Sequence, residues 1–141
     1  MINLILRLIS ALHILLYRRS GGKILGRAAG LPVLLLTTTG RKTGKLRTHP
    51  LCYFEHDGGY VIIGSKGGSD THPAWFHNLQ SQPRAAIQVG GRQLEVSAQV
   101  VGAVSRGLLW ARLVKMAPLY ALYARRTRRE IPLVLLRPVE A

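Results

Sequence analysis

Acidic residues are scarce. Six Asp and Glu stand against twenty Lys and Arg in 141 residues, a formal net charge of +14. Glu55, Asp57, Asp70, Glu95, Glu130 and Glu140 are the whole supply, and no two are paired as glycosidase or protease work requires. Cysteine is scarcer still. Cys52 stands alone, which excludes an intrachain disulfide and a cysteine-rich metal site and suits a reducing cytoplasm. His72 and His77 lie five apart, off the spacing that aligns two ligands on a helix face, so no metal site is expected. The Gly-x-Ser-x-Gly of a serine hydrolase is missing. Aromatics are 6%, with no zinc finger or RNP-type aromatic motif, and the cations are dispersed rather than gathered in one arm. Nucleic acid is therefore not the expected partner, despite a pI near 11.3. An enzyme built from these residues leaves the hard chemistry to a cofactor.

Long apolar runs are also lacking. Residues 1–17 are the most apolar stretch, too short for a membrane span of about 20 residues and interrupted by Arg7. They lack the small-residue cleavage site of a signal peptide. Asn3, Arg7, Ser10 and His13 recur at spacings of four, three and three, one narrow polar stripe on an otherwise apolar helix. Arg18 and Arg19 follow at its C-terminal end, where cations suit the helix dipole. Residues 1–20 therefore read as an amphipathic helix. It either covers an open end of the core or lies through residues 1–19 on an anionic membrane surface, the inner face of the cell membrane.

What remains, residues 21–141, reads as one domain. Hydrophobic residues make up 48% of the chain, enough for a core. Leu31 to Thr38 is a short apolar run of buried-strand type. Arg47 to Glu55 and Tyr60 to Ser65 flank the turn signal His56-Asp57-Gly58-Gly59. Ala74 to Gln80 reads as a short helix between Pro73 and Pro83. Arg84 to Val89 and Arg92 to Val101 form a second hairpin around Gly90-Gly91. Ser105 is placed to cap a helix running to about Arg126, and Ile131 to Arg137 is a last strand. Short antiparallel strands in this number close into a barrel, so a mainly β fold of six or seven strands with covering helices is expected.

Three clusters carry chemistry. Thr37-Thr38-Thr39-Gly40-Arg41-Lys42-Thr43-Gly44 brackets two cations and a hydroxyl with glycines, a composition suited to an anion. It is not a Walker A loop: three residues separate Gly40 and Gly44, and Lys45 is followed by Leu46. An ordinary basic β-turn is the alternative. Gly64-Ser65-Lys66-Gly67-Gly68 repeats the same logic at the end of a strand. Trp75 and Asn78, three apart on a short helix, share a face suited to a flat heterocycle. The alternative there is a core Trp75 with Asn78 capping a turn.

Taken together, these pieces resemble the F420 (deazaflavin)-dependent nitroreductase family of split β-barrel oxidoreductases. The resemblance rests on Thr38 to Gly44, Arg47, Pro50-Leu51, Ser65 to Gly68, Pro73 to Leu79 and Pro83 in order, and continues through Ala117 to Tyr120, Tyr123, Arg126-Thr127 and Ile131-Pro132. It implies a split β-barrel of flavin-reductase type. Arg41, Lys42, Thr43 and Gly44, with Lys66, would hold the phosphate and glutamate tail of coenzyme F420. Pro50, Cys52, Gly64, Ser65, Trp75 and Asn78 would line the deazaflavin. The implied reaction is hydride transfer from F420H2 to a lipophilic acceptor, a quinone or a nitroaromatic. Tyr120 and Tyr123 would form the acceptor pocket, with Ser65 a further candidate proton donor. Ala117 and Cys52 replace aromatics found in some nitroimidazole-reducing members. An FMN-dependent or ene/fatty-acid reductase of the same fold, and a non-catalytic F420- or polyanion-binding protein, are the alternatives. Oligomeric state is left open.

Overall fold

The computed structural model describes residues 2–139. The side chains of Asn3 and Arg7, two of the four stripe residues, lie outside the described residues, as does Glu140.

The chain runs α1 (Ile2–Ser20), β1 (Arg27–Ala28), β2 (Leu31–Thr39), β3 (Leu46–His56), β4 (Gly59–Ile63), a 3₁₀ turn at Lys66–Gly68, α2 (Ala74–Ser81), β5 (Arg84–Val89), β6 (Arg92–Val100), α3 (Ala103–Met116), α4 (Leu119–Arg125) and β7 (Leu133–Pro138). All strand pairs are antiparallel, in the order β1-β2-β3-β4-β7-β6-β5. A further pairing of β2 with β5 closes the six long strands into a barrel. Closure gives each of the six a partner on both sides over at least part of its length. The two-residue β1 lies outside the ring, paired to the start of β2.

The apolar runs are continuous because both faces of the wall are covered. Leu34 and Leu36 point into the barrel with Tyr60, Ile62, Val134 and Leu136. Their neighbours face outward. Val61, Ile63, Leu133 and Leu135 meet α3 and α4 through Leu109, Leu113 and Tyr120. Val33 and Leu35 pack under Tyr17 of α1. Period-two alternation thus persists in strands that read as uniformly apolar. One end of the barrel is filled by α2, whose Trp75, Phe76 and Leu79 join the interior cluster.

One buried side chain anchors α1 to the barrel wall. The Tyr17 hydroxyl donates to the carbonyl of Val33 at 2.8 Å and accepts from the backbone N–H of Gly90 at 2.8 Å. It is 1% exposed.

Two expectations for the long helix fail. Gly102, not Ser105, occupies the N-cap. The helix is also not continuous to Arg126. Pro118 has no N–H and its ring clashes with the preceding turn, so α3 stops at Met116 and α4 restarts at Leu119. The Asp57-Gly58 turn holds both residues at positive φ (53° and 76°), the geometry that matches hairpin twist.

Candidate active site

The register of β3 creates the site. β4 pairs with β3 only from Tyr53 onward, so residues 46–52 of β3 have β2 on one side and no β4 on the other. Pro50, which cannot donate to a ladder, is tolerated in this half-paired stretch. A cleft of about 640 Å³ opens there. Pro50 and Cys52 of β3 line it, with Ser65 and Lys66 after β4, Trp75 of α2, and Tyr120 and Tyr123 of α4. Seven of the sequence-predicted site residues therefore share one space.

The others lie elsewhere. Arg41, Lys42, Thr43 and Gly44 are exposed at the tip of the β2–β3 hairpin. Gly40 N–H donates to Lys45 O (2.7 Å) and Gly44 N–H to Gly40 O (2.8 Å). The Thr43 hydroxyl accepts from Lys45 N–H at 3.2 Å, so it shapes the turn. Asn78 does not line the cleft. It is 5% exposed, and its Oδ1 accepts from Arg41 N–H at 3.0 Å while its Nδ2 donates to the Thr38 hydroxyl at 3.1 Å. Its amide holds the cationic turn from behind. Gly64 is buried against Pro132: an added Cβ would meet the proline Cγ at 2.7 Å, and its N–H donates to Pro132 O at 2.9 Å. Trp75 combines both readings, 3% exposed in the core and still part of the cleft wall.

Sequence reasoning missed the contribution of α1. Ser10 and His49 line the cleft and also a second groove of about 740 Å³ between α1 and β3. That groove follows β3 from His49 back to Leu46, beside the cationic turn, with Arg18 and Arg47 in its walls. Arg18 donates to the Thr48 hydroxyl at 3.4 Å. The signals for this were Ser10 in the polar stripe and the cation pair closing α1.

The electrostatics suit binding rather than acid–base work. Burial pushes the Tyr120 phenol well above its ordinary range, with a further push from neighbouring Cys52, so it stays neutral and donates hydrogen bonds without ionising. Burial also raises the Cys52 thiol, which donates to Ala28 O at 3.4 Å. Tyr123 stands edge-on to Tyr120 at 5.6 Å. Burial, then Arg47, lowers His49, keeping it a neutral ring. No carboxylate lines the cleft, and no metal-holding cluster of His, Cys, Asp or Glu occurs among the described residues.

A six-stranded split barrel with a half-open strand, glycine-flanked cationic loops and an acid-free cleft defines a split-barrel oxidoreductase that relies on a bound redox cofactor. A FAD-binding protein from Mesorhizobium loti shares this fold at 13% identity and a TM-score of 0.53, covering 76% of this chain and 81% of that one. The chain belongs to the F420H(2)-dependent quinone reductase family, whose model matches residues 10–138. An F420H(2)-dependent quinone reductase of Mycobacterium tuberculosis is 40% identical over 131 residues, 89% of this chain and 87% of that protein. The solved F420-H2 dependent reductase FDR-A is 36% identical with a TM-score of 0.68, covering 75% of this chain and 94% of that one.

Proposed function

We propose that this chain uses F420H2 to reduce a quinone, working at the inner face of the cell membrane. The observation that carries the reading is that the cleft and the groove share Ser10 and His49 in their walls. A flat ring system fits the cleft between Pro50, Ser65 and Trp75, and a charged tail fits the groove past Arg18 and Arg47 toward Arg41 and Lys42. Where they meet, the His49 ring stands in both walls, its Nδ1 turned away from solvent.

The reduced deazaflavin, when bound, supplies a hydride. The chain's residues bind, orient and exclude water. Lys66 stands in the cleft wall with its ammonium donating to Thr71 Oγ1 at 3.2 Å, available to an anionic group. Tyr120 and Tyr123 present phenols to the acceptor, and the neutral Tyr120 hydroxyl suits a hydrogen bond to a quinone oxygen. Residues 1–20 act as the membrane-directed helix and residues 21–141 as the catalytic barrel. On α1, Leu4, Leu8, Leu12 and Leu15 are each 45–62% exposed, while no helix among the described residues is long and apolar enough to cross a membrane. Such a helix lies in the interface with the exposed Arg19 among the head groups.

The test is steady-state F420H2 oxidation with menadione. Turnover with F420H2 and none with reduced FMN is expected. Lys66→Ala should weaken F420 binding at least tenfold by fluorescence titration, because a lost charged contact costs about 1.4 kcal/mol or more. Binding without turnover would sink the enzymatic reading in favour of a carrier.

A further inference from the structure

The loop after β4 has an unusual backbone. Lys66, Gly67 and Gly68 are successive residues at positive φ (45°, 64° and 85°). Lys66 carries a Cβ, so its left-handed conformation costs about 1–2 kcal/mol and must be held by its surroundings. One side chain supplies most of the hold. The Arg129 guanidinium donates through Nε to Ser69 O (2.8 Å), through Nη1 to Gly64 O (3.1 Å) and through Nη2 to Ser65 O (2.9 Å). Its Nη1 also lies 3.0 Å from His72 Nδ1. A guanidinium only donates, so His72 accepts there and carries its proton on Nε2. Three carbonyls spanning the loop and the imidazole beyond it thus converge on one planar fork.

We infer that Arg129 is a positioning residue for F420 binding: it sets the left-handed loop that presents Ser65 and Lys66 to the cleft. The inference rests on the function proposed above. Arg129 is not among the residues lining the cleft, so it acts through the loop rather than on the ligand. The fork matters as much as the charge. Lysine has one donor centre and cannot span the carbonyls of residues 64, 65 and 69 at once. The loop's other side is closed by α4: a Cβ on Gly68 would meet Tyr123 O at 2.9 Å and Arg126 Cβ at 3.0 Å. Arg129 therefore presses the cofactor loop against the helix that carries both acceptor-side tyrosines.

Two readouts on the full chain test this, one of them independent of any ligand. In Arg129→Ala and Arg129→Lys, amide hydrogen exchange should quicken at least tenfold at Gly68 and Ser69, whose N–H groups donate to Ser65 O and Lys66 O, and change less than twofold in β2 and β7. The F420 dissociation constant should rise at least tenfold in both variants, and guanidinium ion at low millimolar concentration should restore most of the affinity of the alanine variant. A purely structural role would slow no exchange on adding guanidinium and would show the loss in the melting temperature instead. Unchanged exchange at Gly68 and Ser69 overturns the inference. Faster exchange with unchanged F420 affinity overturns it too. Failure of the parent chain to bind F420 would instead strike the proposed function, with the exchange result still standing.

Discussion

Asn78→Ala separates two roles for the amide. In the structure it holds the cationic turn; the resemblance implied contact with the deazaflavin. The Thr38 hydroxyl is 1% exposed, so water cannot replace its lost partner, whereas Arg41 is exposed and its N–H can be rehydrated. An orphaned buried group costs about 1–3 kcal/mol and a replaceable hydrogen bond about 0.5–1.5 kcal/mol, for a total of roughly 2–4 kcal/mol. At this chain length each kcal/mol moves the melting point by about 3–5 °C, so the ligand-free variant should melt roughly 10 °C lower by calorimetry. The turn loosens with it, and F420 affinity should fall. Asn78→Asp should lose less than half as much. Its carboxylate still accepts from Arg41 N–H, the Thr38 hydroxyl can rotate to donate, and Arg41 and Lys42 stand next to the charge. If Asn78→Ala keeps the parent melting point while F420 affinity drops tenfold, the amide touches the ligand and the clamp reasoning is wrong.

Replacing Leu8 and Leu12 of α1 by Glu should abolish pelleting with anionic vesicles while menadione turnover stays within twofold, since both side chains point to solvent and Tyr17 still anchors the helix; equal pelleting of both forms refutes the interfacial role of α1. Stability should also depend on pH. His49 is lowered by burial and Arg47, and His72 by burial, Arg129 and His77. The unfolded chain takes up these protons first, so the contribution is fully present above about pH 6.5 and is lost as pH falls below it, with a slope up to about 1.4 kcal/mol per unit for each ring. The melting point should drop between about pH 7 and pH 5, and less so in His49→Gln/His72→Gln. An equal drop in the double variant would assign the acid sensitivity to other groups.

The barrel was legible because its information is local. Turn chemistry at Asp57-Gly58 and Gly90-Gly91, and apolar runs at 31–36, 61–63 and 133–136, mark each strand without reference to its partner. The cleft was half legible. Residues from β3, the loop after β4, α2 and α4 converge as their family pattern implies, but spacing shows only that two side chains share a helix face. It does not show which way that face points. Trp75 reaches the cleft wall, while the Asn78 amide is buried against the cationic turn, bonded to Arg41 N–H and the Thr38 hydroxyl. Pro118 was visible in the sequence, and the helix break it causes is the one local signal left unread. What sequence could not reveal is long-range polar capture. Tyr17 meets the N–H of Gly90 across 73 positions and Arg129 meets Gly64 O across 65. Neither pair has a periodicity or a motif, because a single arginine or tyrosine satisfies whatever backbone the fold happens to bring near. These two side chains fix the helix and the loop that each contribute residues to the cleft. The sharpest geometric control over the cleft thus comes from residues whose role depends wholly on the folded chain.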